Sequence, residues 1–172
     1  MSYNAIKTTT IRNADLSMSI TADPKLSLNE IAKGIRGAIK KAVSLRILPK
    51  ATYSVRQHNS RTSRSIEISA VGLPFDILSR ERIAEDLAGK PASIPWRSLD
   101  ATFVEATLEA IADAWNWHAH ELSNYHVSIA VASTEPRDEE RARITREIEA
   151  DKVNEAKERG ARAEDKFEVC FF

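Results

Sequence analysis

Between Leu28 and Ala70 the apolar residues change period, and few folds accommodate that change. Leu28, Ile31, Ile35, Ile39 and Ala42 recur at intervals of three and four, which predicts an amphipathic helix over about 28–45, ended before Pro49. Ser27 followed by Glu30 has the spacing of a capping box at its start. Tyr53 and Val55, then Ile66, Ile68 and Ala70, alternate instead with polar neighbours, the signature of two strands. The polar, basic stretch 58–63 between them makes the pair a β-hairpin. If the apolar set faces the core, Arg56 and Glu67 face solvent. Gly34 and Gly37 inside the helix each cost about 1 kcal/mol against alanine, unless a neighbour needs the space.

The remaining elements follow the same logic. Leu16, Met18 and Ile20 alternate with Ser17 and Ser19 as a strand, and the Thr-rich run Ile6 to Arg12 offers it a partner. Ser79 to Leu87 reads as a short helix closed by Gly89 and Pro91. Ser98 or Asp100 caps a helix reaching about Trp115, with a stripe of Leu99, Phe103, Leu108, Ile111 and Trp115. Residues 115–121 read as a loop, and Tyr125, Val127, Ile129 and Val131 as a strand. Thr134 and Pro136 open a densely charged helix of about 135–159, with Gly160 as its stop. Its apolar stripe is thin: Ile144, Ile148, Val153 and Ala156. Phe167, Val169 and Phe171 alternate in a short terminal strand over 166–172.

Helices do not alternate strictly with strands in this order. The expected fold is therefore α+β, an antiparallel or mixed sheet with helices mainly on one face, plus the long charged C-terminal helix and terminal strand. The chain reads as a single domain over 1–172 with its core in about 14–132. No apolar run approaches the ~18 residues of a membrane span. Cys170 is the only cysteine and the N-terminus is polar, so a cytoplasmic protein without membrane partners is expected.

Charge is unevenly placed. The chain balances 25 basic against 25 acidic residues, yet no acid lies between Glu30 and Glu67. That stretch holds Lys33, Arg36, Lys40, Lys41, Arg46, Lys50, Arg56, Arg61 and Arg64, together with His58. Such separation produces a local field although the total is zero. Arg36, Lys40, Lys41, Arg56, Arg61 and Arg64 are the candidate contacts for phosphates, a helix-plus-hairpin surface of the kind nucleic-acid binders present. An acidic protein partner fits the same surface, and so does a solvated face neutralised by the acidic C-terminal half.

Other constellations are weaker. His118, His120 and His126 fall close together around Glu121, and imidazole suits zinc, which leaves a metal-dependent hydrolase as a third reading. Trp117 and Tyr125 offer rings for base stacking or, more simply, for packing. Cys170, between Val169 and Phe171, reads as a packed residue rather than a nucleophile. The charged helix and terminal strand offer a homodimer or partner interface. With no glycine-rich phosphate loop, nucleophile elbow or paired carboxylates, the reading leans against an enzyme and calls for no cofactor.

Two stretches carry a family resemblance. The first joins Ile35-Arg36-Gly37-Ala38-Ile39-Lys40-Lys41 to the strands Tyr53-Ser54-Val55-Arg56 and Ser65-Ile66-Glu67-Ile68. The second is Trp115-Asn116-Trp117-His118 followed by Ser123-Asn124-Tyr125-His126-Val127. Together they resemble the large-polyvalent-protein-associated domain of phages and plasmids, over roughly residues 28–131. The chain departs from that pattern at Leu48-Pro49-Lys50, where a Phe-Pro-Gly-like turn is expected, and at His118 and His120. The resemblance implies a mobile-element context, near DNA handling or defence evasion, and supplies no catalytic residues. The expectation is an accessory protein that binds nucleic acid non-enzymatically. The alternative is a protein-interaction module that inhibits a host defence complex.

Overall fold

The computed structural model describes residues 26–61, 63–115, 118–119, 122–123 and 125–168. The strands expected at Ile6 to Arg12 and at Leu16 to Ile20, and Cys170 with its neighbours Val169 and Phe171, lie outside these. The described elements run α1 Leu28–Ser44, β1 Thr52–Asn59, β2 Arg64–Val71, α2 Arg80–Leu87, α3 Leu99–Asp113, β3 His118–Ala119, β4 Leu122–Ser123, β5 His126–Ala132 and α4 Arg137–Glu168. The principal sheet has the order β1-β2-β5. β1 and β2 are antiparallel, with Val55 opposite Ile68 and Arg56 opposite Glu67. β5 runs parallel to β2, with Ile129 beside Ile68. A parallel neighbour needs a crossover, and the chain carrying α2 and α3 provides it. The fold is thus α+β with a mixed sheet.

The change of hydrophobic period explains the layers. α1 begins with the capping box: the Ser27 backbone N–H donates to Glu30 Oε2 at 2.8 Å, and the Glu30 N–H donates to Ser27 Oγ at 3.3 Å. The Ser27 hydroxyl, which donates to Glu30 Oε2 at 2.7 Å, and the Ser27 backbone N–H hold the Glu30 carboxyl below its ordinary range. Ile31, Ile35 and Ile39 then bury against Val55, Ile66, Ile68 and Ala70 of the hairpin in one core. Each fully buried isoleucine stabilises by roughly 1.5–3 kcal/mol through the area it removes from water. α3 packs into the same core through Val104, Leu108 and Ile111, so α1 and α3 share one face of the sheet. Ser54, Arg56, Glu67, Ser69, Ser128 and Ala130 alternate onto the other face, which no described helix covers.

Gly34 has its reason in this core. A Cβ built there would lie 2.2–2.5 Å from ring atoms of Trp115, so the indole rests directly on the helix backbone. Gly37, three residues on, has nothing within 4 Å of a Cβ.

Three expectations need correction. α3 does not bury Leu99, which is 87% exposed; its core face is Ala101, Val104, Leu108, Ile111 and Ala112. Ser98 sets that rotation: its N–H donates to the Ile77 carbonyl at 2.8 Å and its hydroxyl to the Asp76 carbonyl at 2.7 Å. The alanines then let the helix approach closely. Second, α4 starts at Arg137 and continues through Gly160 to Glu168, so 166–168 is helix and not strand. One glycine costs about 1 kcal/mol, and the surrounding Ala, Arg, Glu and Lys are strong helix formers. Third, 118–119, inside the 115–121 segment expected as loop, pair with 122–123, just beyond it, in a two-residue antiparallel ladder.

α4 docks on α2 rather than on the sheet. Ile144 and Ile148 meet Leu78 and Ile83 in a small second core. Glu140, 2% exposed, accepts the Ile77 N–H at 2.6 Å and anchors the start of α4. Beyond Ile148, every residue from Glu149 to Arg159 is exposed. Among the described residues, no helix is long and apolar enough to cross a membrane.

Candidate functional site

The cations of the acid-free stretch fall on three surfaces. Lys33, Arg36, Lys40 and Lys41 are exposed on α1, opposite its buried stripe. At about 100° per residue they span an arc of roughly 140°. Arg56 lies on the uncovered face of the sheet, beside Glu67, because Val55 turns toward α1. Arg61 sits in the hairpin turn, which Ser60 and Ser63 close with N–H to carbonyl and N–H to hydroxyl bonds of 2.9 and 3.0 Å. Arg64 opens β2 on the same side as Ile66.

α1 and β1 run antiparallel along each other. Arg36 Nη2 donates to the Val55 carbonyl at 2.6 Å, and Val43, further along α1, lines the same groove as Ala51, just before β1. The hairpin turn therefore lies toward the N-terminal end of α1, and Arg46 and Lys50 at its C-terminal end. The result is a cationic track along the outer side of α1, about 12 Å from Lys33 to Lys41. Arg61 and Arg64 stand at one end. Arg56 does not belong to this track. Arg46 holds a left-handed backbone, φ 60°, where α1 turns back; the Ile47 and Leu48 N–H groups both donate to the Ala42 carbonyl there. That conformation costs a non-glycine residue about 1–2 kcal/mol.

Between α1 and β1 lies a groove of about 330 Å³. Ile39, Val43, Tyr53 and Val55 give it apolar walls, and Arg36 and Lys40 flank it with charge. The Tyr53 hydroxyl donates to the Pro49 carbonyl at 2.9 Å, and burial pushes its pKa up to about 12, so it stays a neutral donor. Sequence reasoning missed this groove. Its signal was the pairing of Arg36 and Lys40, four apart on the helix, with the alternating Tyr53 and Val55.

Among the described residues, none of the nine cations between Glu30 and Glu67 forms an ion pair with an acidic side chain. Several acids of the rest of the chain are engaged elsewhere. Arg80 pairs with Glu147 at 2.9 Å and Asp151 at 2.6 Å, and Arg141 with Asp86. Arg143 holds Asp76, Glu135 and Glu147 at 2.6–3.0 Å. The hydrogen bonds that Arg143 donates to these three carboxylates push its pKa up, and hydrogen bonds from Arg143 and Arg80 hold Glu147 below its ordinary range.

His126 is exposed at the start of β5, His118 begins the short ladder, and His120 lies outside the described residues. His58 faces Glu67 at 3.4 Å on the uncovered sheet face. Among the described residues no group of three or more His, Cys, Asp or Glu is placed to hold a metal. Tyr125 is buried and donates to the Ala112 carbonyl at 2.7 Å, a packing role that ties β5 to the end of α3. Compared with protein-family models, curated proteins and solved structures, the chain finds no match.

Proposed function

We propose that the protein binds nucleic acid without catalysing a reaction on it, along the outer side of α1 and the adjoining hairpin end. The observation behind this reading is the state of the cations. Lys33, Arg36, Lys40 and Lys41 share one exposed arc and have no carboxylate partner among the described residues, while the arginines around α4 do. Unpaired cations at helical spacing offer phosphates their charge without first breaking an ion pair, and binding then gains from counterion release. The resemblance to phage and plasmid domains supports a mobile-element accessory role, exercised in the cytoplasm. Arg61 and Arg64 extend the contact at the hairpin end; Arg56 contributes only to a ligand that wraps the β1 edge.

The test is a titration of labelled single- and double-stranded DNA and RNA at several salt concentrations, repeated with Lys33, Arg36, Lys40 and Lys41 changed to alanine. The slope of log K against log salt is expected to shrink by roughly three to four, about 0.7–0.9 per lost phosphate contact. Absence of binding at low salt, or binding indifferent to salt, refutes the proposal.

A second reading, a protein-interaction module acting on a host defence complex, draws on α4. Its fully exposed run from Glu149 to Arg159 offers a charged rod to a partner. A stoichiometric complex recovered from host lysate after nuclease treatment, and lost when α4 is shortened after Asp151, favours that reading over the first.

A further inference from the structure

We infer that the groove between α1 and β1 receives a nucleotide of a single strand, so that the ligand class is single-stranded rather than duplex nucleic acid. This inference rests on the nucleic-acid reading of the same surface. A duplex buries its bases and shows phosphates, so a ridge of cations suffices for it. A single strand also exposes base faces, and proteins that hold one combine a cationic track with apolar or aromatic surface for the bases. The groove adds that second component. Ile39, Val43 and Val55 give apolar walls and Tyr53 an aromatic one, directly beside Arg36 and Lys40. Among the described residues no acidic side chain lines it. Its volume of about 330 Å³ sits at the small end of ligand sites, roughly 300–1,000 Å³, which suits one monomer of a polymer and not a duplex.

Arg36 is set in advance for such a ligand. One terminal nitrogen already donates to the Val55 carbonyl at 2.6 Å, which fixes the guanidinium at the groove's edge. A guanidinium has five N–H donors in a planar fork, so the others remain for a phosphate. Phosphates would follow Lys33, Arg36 and Lys40 along α1 while one base turns inward against Tyr53.

The closing experiment uses the full-length protein, a single-stranded oligonucleotide carrying 5-iodouracil, and a duplex of the same sequence as competitor. Three results are expected. The single strand outcompetes the duplex at equal concentration. Irradiation crosslinks the iodouracil to Tyr53 or a residue next to it. Tyr53→Leu weakens single-strand binding by roughly 5- to 150-fold and duplex binding little, the range for loss of one base–aromatic contact. The crosslink is read on the unmodified protein, so it decides the matter even if Tyr53→Leu folds poorly. Equal affinity for both forms, with crosslinks away from the groove, overturns the inference and leaves the nucleic-acid reading intact. Absence of binding to either form refutes both. A benzophenone side chain at position 43 that crosslinks to the chain's own residues 1–25 also overturns it, because the groove is then filled from within.

Discussion

The two edges of the sheet are held by the same device with opposite electrostatic settings. At β1, Arg36 donates to the Val55 carbonyl at 2.6 Å; at β5, Arg97 donates to the Val131 carbonyl at 2.7 Å. Arg97 also grips Glu105 at 2.7 Å, so its charge is neutralised in place. Arg36 has no such partner among the described residues. The contrast extends outward. Around α2 and α4, arginines serve as internal cement, with carboxylates supplied from 55 to 71 residues away in sequence. Around α1 and the hairpin the cations form no ion pair with a carboxylate among the described residues. A neutral net charge therefore conceals a folded division of labour, with one half spending its charges on itself and the other keeping them available.

The comparison can be broken, or sharpened, by experiments graded in size. The largest effect is expected inside the cationic half. Gly34→Ala drives a methyl group into the Trp115 ring and is expected to cost about 1–3 kcal/mol in urea unfolding, the range for overpacking. Gly37→Ala meets open space on the same helix and is expected to stabilise by up to about 1 kcal/mol. Equal effects at the two glycines would mean that Trp115 does not rest on α1.

Next in size is a crossed test of the two kinds of cation. Arg143→Ala leaves Asp76, Glu135 and Glu147 without their shared partner. Arg143 is partly exposed, so the loss is expected to be about 1 kcal/mol, the upper end for solvent-accessible pairs, with oligonucleotide binding unchanged. Lys33→Ala with Lys41→Ala is expected to change stability by less than about 0.5 kcal/mol while flattening the salt dependence of binding. If Arg143→Ala weakened binding as much as the lysine pair did, the division between the halves would fail.

Smallest is the response to acid. Glu147 has its folded pKa below the ordinary 4.5, through hydrogen bonds from Arg143 and Arg80. A lowered carboxylate pKa stabilises the fold above its unfolded value, and that contribution is lost as pH falls through the folded value. Thermal midpoints are therefore expected to drop below pH 4.5, and to drop less in Glu147→Gln. On α1 the Glu30 carboxyl, held low by the capping box, adds to this transition, whereas the α1 cations, with no carboxylate partner among the described residues, do not.

How much of this was legible beforehand depended on range. The α1 stripe, its capping box and the hairpin register follow from spacing within a few residues, and the sequence shows them. So does the clustering of cations, since it is a count along the chain. What spacing cannot carry is the fate of those cations: whether Glu147 neutralises Arg80 or Lys40 depends on where α4 lands. The Arg36 bond to Val55 and the groove beside it likewise arise only when α1 lies against β1. At α3 two apolar stripes overlap, one through Leu99 and Phe103 and one through Ala101 and Val104. The contacts of Ser98 with the 76–77 loop choose the second. At Gly160 a local stop signal is outweighed by the helix formers on both sides.

The exposed run from Glu149 to Arg159 has a hydrodynamic consequence. A compact chain of 172 residues has a radius of gyration of about 16 Å. α4 is 32 residues, about 48 Å, and only its first part is clasped by α2. Mass carried out along a rod raises the radius of gyration far more than the same mass in a core. Small-angle scattering is expected to give a value clearly above 16 Å, and rotational diffusion to be faster about the rod's axis than end over end. Amides along α4 should then relax at rates set by that axis, distinct from those of the sheet.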